Sequence, residues 1–221
     1  WLGLVGSEMC IRDSNNAGIP FKESDRLGGK DPYSASKAMA ELAIASYRDS
    51  FFDDTVGLAS VRAGNVLGGG DYGAHRLIPD IVEAIQKQED ITLRHPNATR
   101  PWQHVLDALW GYIRLGEALL KDPATHSKAY NISTRPSDET VEKMTRKLID
   151  LFGDTSCKVQ IQESDHYEAS SLSLDSSLAS ETLDWRPILS MDETLQSIVD
   201  WTRGDAVEMT QKQIQAYLEK V

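Results

Sequence analysis

The sequence predicts an α/β fold, and three observations carry that expectation. Short apolar runs alternate with longer stretches of helix-forming residues along the 221-residue chain. Two of the runs, "TVGLASV" at 55–61 and "AYNIS" at 129–133, are apolar enough to be buried strands. The stretches between them space their apolar residues three and four apart, as helices with one buried face do.

Each element follows from local chemistry. Residues 15–31 are rich in Gly, Asn, Asp and Pro and read as loop. Pro32, with its fixed φ, suits a first helical turn, and "YSASKAMAELAIASYRDSFF" supplies strong helix formers after it. The strand at 55–61 runs into "AGNVLGGGDYG", a turn with a glycine run after Asn65. "RLIPDIVEAIQKQ" places Ile78, Ile81, Val82 and Ile85 at helical spacing, and "ITLR" is a short strand. "HVLDALWGYIRLGEALLKDP" is a helix ended by Pro123. After the strand at 129–133, Ser137 or Asp138 is expected to cap "ETVEKMTRKLIDLFG", which stops at Gly153. "CKVQIQ" alternates as a strand should. "SMDETLQSIVDWTRGD" is an amphipathic helix whose acidic start complements the positive helix end, and the polar tail beyond Gly204 is helical. Two credible buried strands are too few for a doubly wound sheet, and no strand–glycine–helix fingerprint for a dinucleotide occurs.

Composition narrows the function classes. A net charge of -11 argues against binding a nucleic-acid backbone. No apolar run is long enough to cross a bilayer, so no membrane partner is expected. Cys10 and Cys157 have no paired metal-ligand spacing, and the histidines are scattered; no metal site is expected, and a reduced, cytoplasmic compartment is. "WLGLVGSEMCIRDS" lacks strand periodicity after Gly6 and is no signal peptide. Its "MCIRDS" resembles a sequencing-adapter oligonucleotide translated in one frame, so residues 1–14 are expected to be a non-native leader outside the fold.

Three segments carry candidate chemistry. Tyr33 and Lys37 lie one turn apart on one helix face, where an ammonium beside a phenol favours loss of the phenolic proton. Such a pair also occurs by chance on surface helices. Arg62 ends a strand, and Asn65 then precedes glycines that permit close backbone approach to a ligand; a simple turn would use the same residues. Arg76 is either an anion contact or a solvated helix start. Arg94 and Arg100 flank a loop in an acidic protein, as phosphate-binding arginines or as surface charge. His104 has the chemistry of a base but no acidic partner nearby in sequence, so a structural role is expected. Trp110, Trp185 and Trp201 read as core.

Taken together, Tyr33-x-x-x-Lys37, "SVRAGNVLGGGDY", "RLIPD" and "RPWQHV" resemble the extended short-chain dehydrogenase/reductase family, and within it the CDP-glucose 4,6-dehydratases. "RPWQHVLDALWGY" is the most specific piece, and the likeness covers about Phe21 to Trp201. The resemblance implies an incomplete NAD-binding Rossmann-type fold, its first βαβ units missing, with a smaller C-terminal substrate-binding lobe. Residues 15–62, 98–122 and 127–153 would lie mainly on the Rossmann side, 63–97 and 154–204 in the nucleotide-sugar lobe, and 205–221 in a polar tail. It implies NAD as cofactor, CDP-glucose as substrate and a homodimer in the full-length enzyme. Tyr33 would take the C4-hydroxyl proton, and Lys37 would bind the nicotinamide ribose, with Arg62 also on the cofactor side. Asn65, Arg76, Leu77, Ile78, Arg94 and Arg100 would contact the nucleotide sugar. The product would be CDP-4-keto-6-deoxyglucose, by internal hydride transfer and loss of water.

Two departures matter. The family's cofactor glycines are absent, and the acid/base cluster for water elimination is replaced by "MCIRDSNNAG". The chain alone is therefore expected to be inactive and poorly stable. A 4-epimerase, a dehydratase for another nucleotide, and a non-catalytic sugar-nucleotide-binding relative remain alternatives.

Overall fold

The computed structural model describes residues 2–8 (backbone only), 19–28, 31–73, 76–135, 139–153, 156–162 and 171–221. A three-stranded parallel sheet, β1-β2-β6, organises one side: β1 (Leu2–Glu8), β2 (Gly57–Ala63) and β6 (Ala129–Ile132). The register pairs Leu2 with Gly57 and Ser60 with Ala129. The two runs expected as buried strands are thus neighbours. Residues 2–8, within the segment expected to be a non-native leader, supply β1 as an edge strand. In a parallel sheet the backbone groups of an edge strand can be satisfied by any strand-forming neighbour, whatever its side chains.

β2 explains how the layers stack. Ala59 and Val61 point to one face and meet Leu115 and Leu119 of α3 (Val105–Lys121), with Tyr130 and Ile132 from β6. Ser60 and Arg62 point to the other face and meet Glu41 of α1 (Pro32–Phe51). Helices therefore cover both faces, as the α/β class requires.

α3 stops at Lys121, and Pro123 opens a separate turn of helix, α4 (Pro123–His126), capped by Asp122. α6 (Ser177–Leu183), not expected from the sequence, packs on the sheet-side core together with the buried Trp185. A second core belongs to the lobe. It joins Ile78, Ile81 and Ile85 of α2 (Leu77–Lys87), Ile91 and Leu93 of β4 (Ile91–Leu93), and Leu195, Ile198 and Val199 of α7 (Met191–Arg203). Met144, Leu148 and Ile149 of α5 (Val141–Phe152) complete it. α5 turns its apolar stripe to this second core, while Ala179, Leu183 and Trp185 pack in the sheet-side core.

Two further parallel pairs tie these layers. β3 (Asn65–Leu67) pairs with β5 (Trp102–His104), and β4 pairs with β7 (Val159–Ile161). α5 is capped by Thr140, whose side chain accepts from the Lys143 N–H; Ser137 and Asp138 lie outside the described residues. α8 (Ala206–Leu218) packs along α7. Among the described residues no helix is long and apolar enough to cross a membrane.

Candidate active site

Asp31 sets the start of α1. Its carboxylate accepts from the Ser34 N–H at 2.9 Å and from the Ser34 hydroxyl, and those bonds hold it below the usual carboxylate range. Pro32 fills the first helical position, so the next side chain to emerge is Tyr33, 42% exposed. Lys37 follows one turn later, its Nζ 5.5 Å from the centre of the Tyr33 ring.

What fixes α1 against the sheet is a buried ion pair. Arg62 donates from Nε to Glu41 Oε1 and from Nη2 to Glu41 Oε2, both at 2.7 Å, with side chains only 3% and 4% exposed. Its Nη1 donates to the Glu23 carbonyl at 3.1 Å. Arg62 lies next to the last residue of β2. Tyr33 is eight residues before Glu41, so helical rise carries it about 12 Å further along the axis. Because α1 returns antiparallel to β2, that direction leads beyond the C-terminal end of the strand, where ligands bind in open parallel sheets. Arg62, expected beside the cofactor, has its guanidinium committed to Glu41 and the Glu23 carbonyl and anchors α1 to β2.

The same sheet edge holds the other segments. Gly64 bends the chain where an added Cβ would stand 2.4 Å from the Pro101 carbonyl oxygen. This close approach lets Asn65 donate its N–H to Pro101 at 3.0 Å and pair with Trp102, so the Asn65 strand lies beside Arg100. Arg100 Nη1 donates to the Thr99 carbonyl at 2.8 Å. Buried Gln103 bridges to β6 through its Nε2 and the Ile132 carbonyl at 2.9 Å. Asn131 donates outward from β6: its N–H to Glu23 Oε1 at 2.8 Å, and its amide nitrogen to the carbonyls of Phe21 and Asp175. Burial pushes the Glu23 carboxyl up from its ordinary value.

The remaining expected residues divide. Arg76 is exposed, 3.3 Å from Asp71, at the start of α2. Leu77 is partly buried against the lobe core, and Ile78 is inside it, on the stripe with Ile81 and Ile85. Ile78 therefore packs within this core. Arg94 is exposed after β4, in a loop pinned where Val141 donates to Ala98 and Glu142 to Pro96.

The glycine run has an intramolecular purpose at its centre. A Cβ on Gly69 would overlap Trp201 Cγ at 2.2 Å, so the loop lies flat on the indole, with Tyr72 against its edge. Trp201 is a clamp on this loop rather than core, whereas Trp185 is buried and donates to the Asp107 carbonyl at 3.0 Å.

His104 is structural, as expected. It caps α3 by accepting the Leu106 N–H on Nδ1 at 3.1 Å. Its proton is therefore on Nε2, which faces Ser197 Oγ at 2.9 Å; that hydroxyl passes its own hydrogen to the Thr194 carbonyl. Burial lowers its pKa to about 4, so it stays neutral with both nitrogens engaged. Glu41 and Glu23 were the functional positions absent from the sequence reading. A glutamate on the buried side of α1 and an arginine inside the apolar "LASVRA" were the available signals.

The family model described as GDP-mannose 4,6 dehydratase matches residues 15–198. A CDP-glucose 4,6-dehydratase from Salmonella typhimurium is 40% identical over 207 residues, covering 90% of this chain and 57% of the relative. Among solved structures, DesIV, a dTDP-glucose 4,6-dehydratase from Streptomyces venezuelae with NAD and TYD bound, aligns with TM-score 0.75 at 24% identity, over 94% of this chain and 61% of that one. A Thermus thermophilus UDP-glucose 4-epimerase in complex with NAD aligns with TM-score 0.79 at 21% identity, over 92% and 64%. The chain thus spans about 57% of the curated relative's length. It carries part of a Rossmann-type fold and belongs to the GDP-mannose 4,6 dehydratase family of extended short-chain dehydrogenases/reductases.

Proposed function

We propose that this chain carries the catalytic helix and the nucleotide-sugar side of an NAD-dependent nucleotide-sugar 4,6-dehydratase acting on CDP-glucose. The observation that supports it most is the Tyr33–Lys37 pair, held beyond the C-terminal edge of a parallel sheet by the Arg62–Glu41 anchor. The dehydratase assignment is favoured by the 40% identity to the Salmonella enzyme.

The residues present fit one end of the cofactor: a phenol and an ammonium, one turn apart, suit a ribose and a reacting alcohol. Bound NAD would supply the hydride acceptor for C4 and the donor for C6. Tyr33 takes the proton from the C4 hydroxyl as that carbon is oxidised. Lys37 holds the nicotinamide-ribose hydroxyls and keeps positive charge beside the phenol. Asn65 and Arg100, brought together by the β3–β5 pair, bind the phosphates; Arg76 and Arg94 extend the cationic side, with Leu77 against the nucleotide. Oxidation at C4 acidifies C5, water leaves across C5 and C6, and the product is CDP-4-keto-6-deoxyglucose. The exposed apolar side chains Met39, Leu42, Tyr47 and Phe51 on α1 support a homodimer through this helix.

The substrate side is testable by titrating CDP-glucose and UDP-glucose into the protein by calorimetry. CDP-glucose is expected to bind more tightly, and Arg100→Ala to weaken it at least about tenfold, the loss of a charge-assisted phosphate contact. Equal binding of both sugars, or an unaffected Arg100→Ala, would contradict the assignment.

A further inference from the structure

A cavity of about 710 Å³ opens between α5, α7 and α8. None of Tyr33, Lys37, Asn65, Arg76 or Arg100 lines it. Its volume falls in the range of small-molecule sites. The floor is apolar, with Leu106, Leu151, Leu189 and the Tyr217 ring.

The walls are held by directed bonds. Tyr217 on α8 donates its hydroxyl to buried Asp107 Oδ1 at 2.8 Å, and Asp107 also accepts from the Ile188 and Leu189 N–H groups. Gln213 Nε2 donates to the Ser197 carbonyl at 2.7 Å, joining α8 to α7. At the rim, Lys147 pairs with Asp192 at 2.9 Å and Lys220 with Glu193 at 2.7 Å. These bonds fix α8 against α7 and the 188–189 segment before any ligand arrives, which lowers the ordering cost of binding.

The rim is unbalanced in charge. Four carboxylates, Asp150, Asp192, Glu193 and Asp200, face two ammonium groups. Both ammonium groups are already paired, and among the described residues no cation pairs with Asp150 or Asp200. Among the described residues, the Asp200 carboxylate accepts from an uncharged donor, Gln196 Nε2, at 2.8 Å. We infer that this cavity is a second small-molecule site, which takes an organic cation with an apolar body: the body against the leucines and Tyr217, the charged head toward Asp150 and Asp200. With both rim lysines already paired to carboxylates, Lys147 to Asp192 and Lys220 to Glu193, the excess rim charge is negative, and an anion of the same shape is a poor occupant.

The test uses the 221-residue chain and octyltrimethylammonium as the probe, followed by ¹H–¹⁵N shifts. Saturable shifts at Ser197, Gln213 and Tyr217 are expected, with a Kd below about 1 mM. Octanesulfonate is expected to bind at least about tenfold more weakly. Ala216→Trp, which fills the cavity from exposed α8, is expected to abolish the shifts. Asp150→Asn combined with Asp200→Asn is expected to weaken binding about threefold, the effect of two exposed charges. The inference is overturned by an absence of saturable shifts, by equal binding of octanesulfonate, or by a folded Ala216→Trp that binds unchanged. If Ala216→Trp does not fold, the paired asparagine variant decides: unchanged affinity overturns the site.

Discussion

Replacing Glu41 by Met leaves the Arg62 guanidinium buried with one of its three hydrogen bonds, the one to the Glu23 carbonyl at 3.1 Å. Two charge-assisted bonds of 2.7 Å are lost, and such bonds contribute about 1.5–3 kcal/mol each. An independent route gives the same size, since removing one partner of a buried ion pair costs about 3–5 kcal/mol. Arg62→Met in the same background removes the stranded charge. The double variant is expected to regain much of the loss, because two apolar side chains of similar length fill the space between α1 and β2. Urea unfolding followed by far-UV circular dichroism on wild type, both single variants and the double variant closes the cycle. A coupling energy of at least about 1 kcal/mol is expected. The reasoning is refuted if Glu41→Met costs less than about 1 kcal/mol, or if the two single losses simply add.

Three further outcomes follow from other contacts. The His104 pKa is about 4 folded against 6.5 ordinarily, so the unfolded chain binds the extra proton between those values. Stability is therefore full above pH 6.5 and falls as pH drops toward 4, by up to about 3 kcal/mol; His104→Asn, which keeps a cap, should flatten that slope in urea titrations at several pH values. Gly69→Ala forces a methyl into Trp201 and should cost about 1–3 kcal/mol by thermal melts, with Trp201→Leu in the same chain recovering part of it. Tyr217→Phe removes a donor from buried Asp107 and should lower stability by about 1–3 kcal/mol, with faster amide exchange along α8.

Elements with long periodic patterns were legible in the sequence. α2, α3, α5 and α7 each bury a stripe spaced three and four apart, α1 was legible from Pro32 and the helix formers after it, and β2 and β6 are apolar runs bounded by turns. The three-residue strands β3 and β5 were not, because "NVL" and "WQH" are too short for any period; only their mutual pairing makes them strands. α5 has the same stripe whichever core it faces, so its allegiance to the lobe lies in contacts with α7 and α2, not in its own residues. Within the site, the Tyr33–Lys37 pair is local to one helical turn and was visible. The anchor that positions it joins residues 21 apart, and the Tyr217–Asp107 bond joins residues 110 apart, beyond what spacing can report. Trp201 looked like core because an indole on an amphipathic helix usually is; the glycine loop that covers it carries no apolar signal of its own.

The central claim is that Tyr33 and Lys37 serve an internal hydride transfer from C4 to C6 of a nucleotide-bound glucose. It is tested most directly by joining residues 15–221 to the preceding part of the Salmonella typhimurium CDP-glucose 4,6-dehydratase and supplying CDP-glucose deuterated at C4. In a folded, NAD-binding chimera the account predicts a 4-keto-6-deoxy product with deuterium at C6, and a loss of at least about 100-fold in rate for Tyr33→Phe. Deuterium left at C4 of an epimerised sugar, or a Tyr33→Phe chimera as fast as its parent, would contradict it.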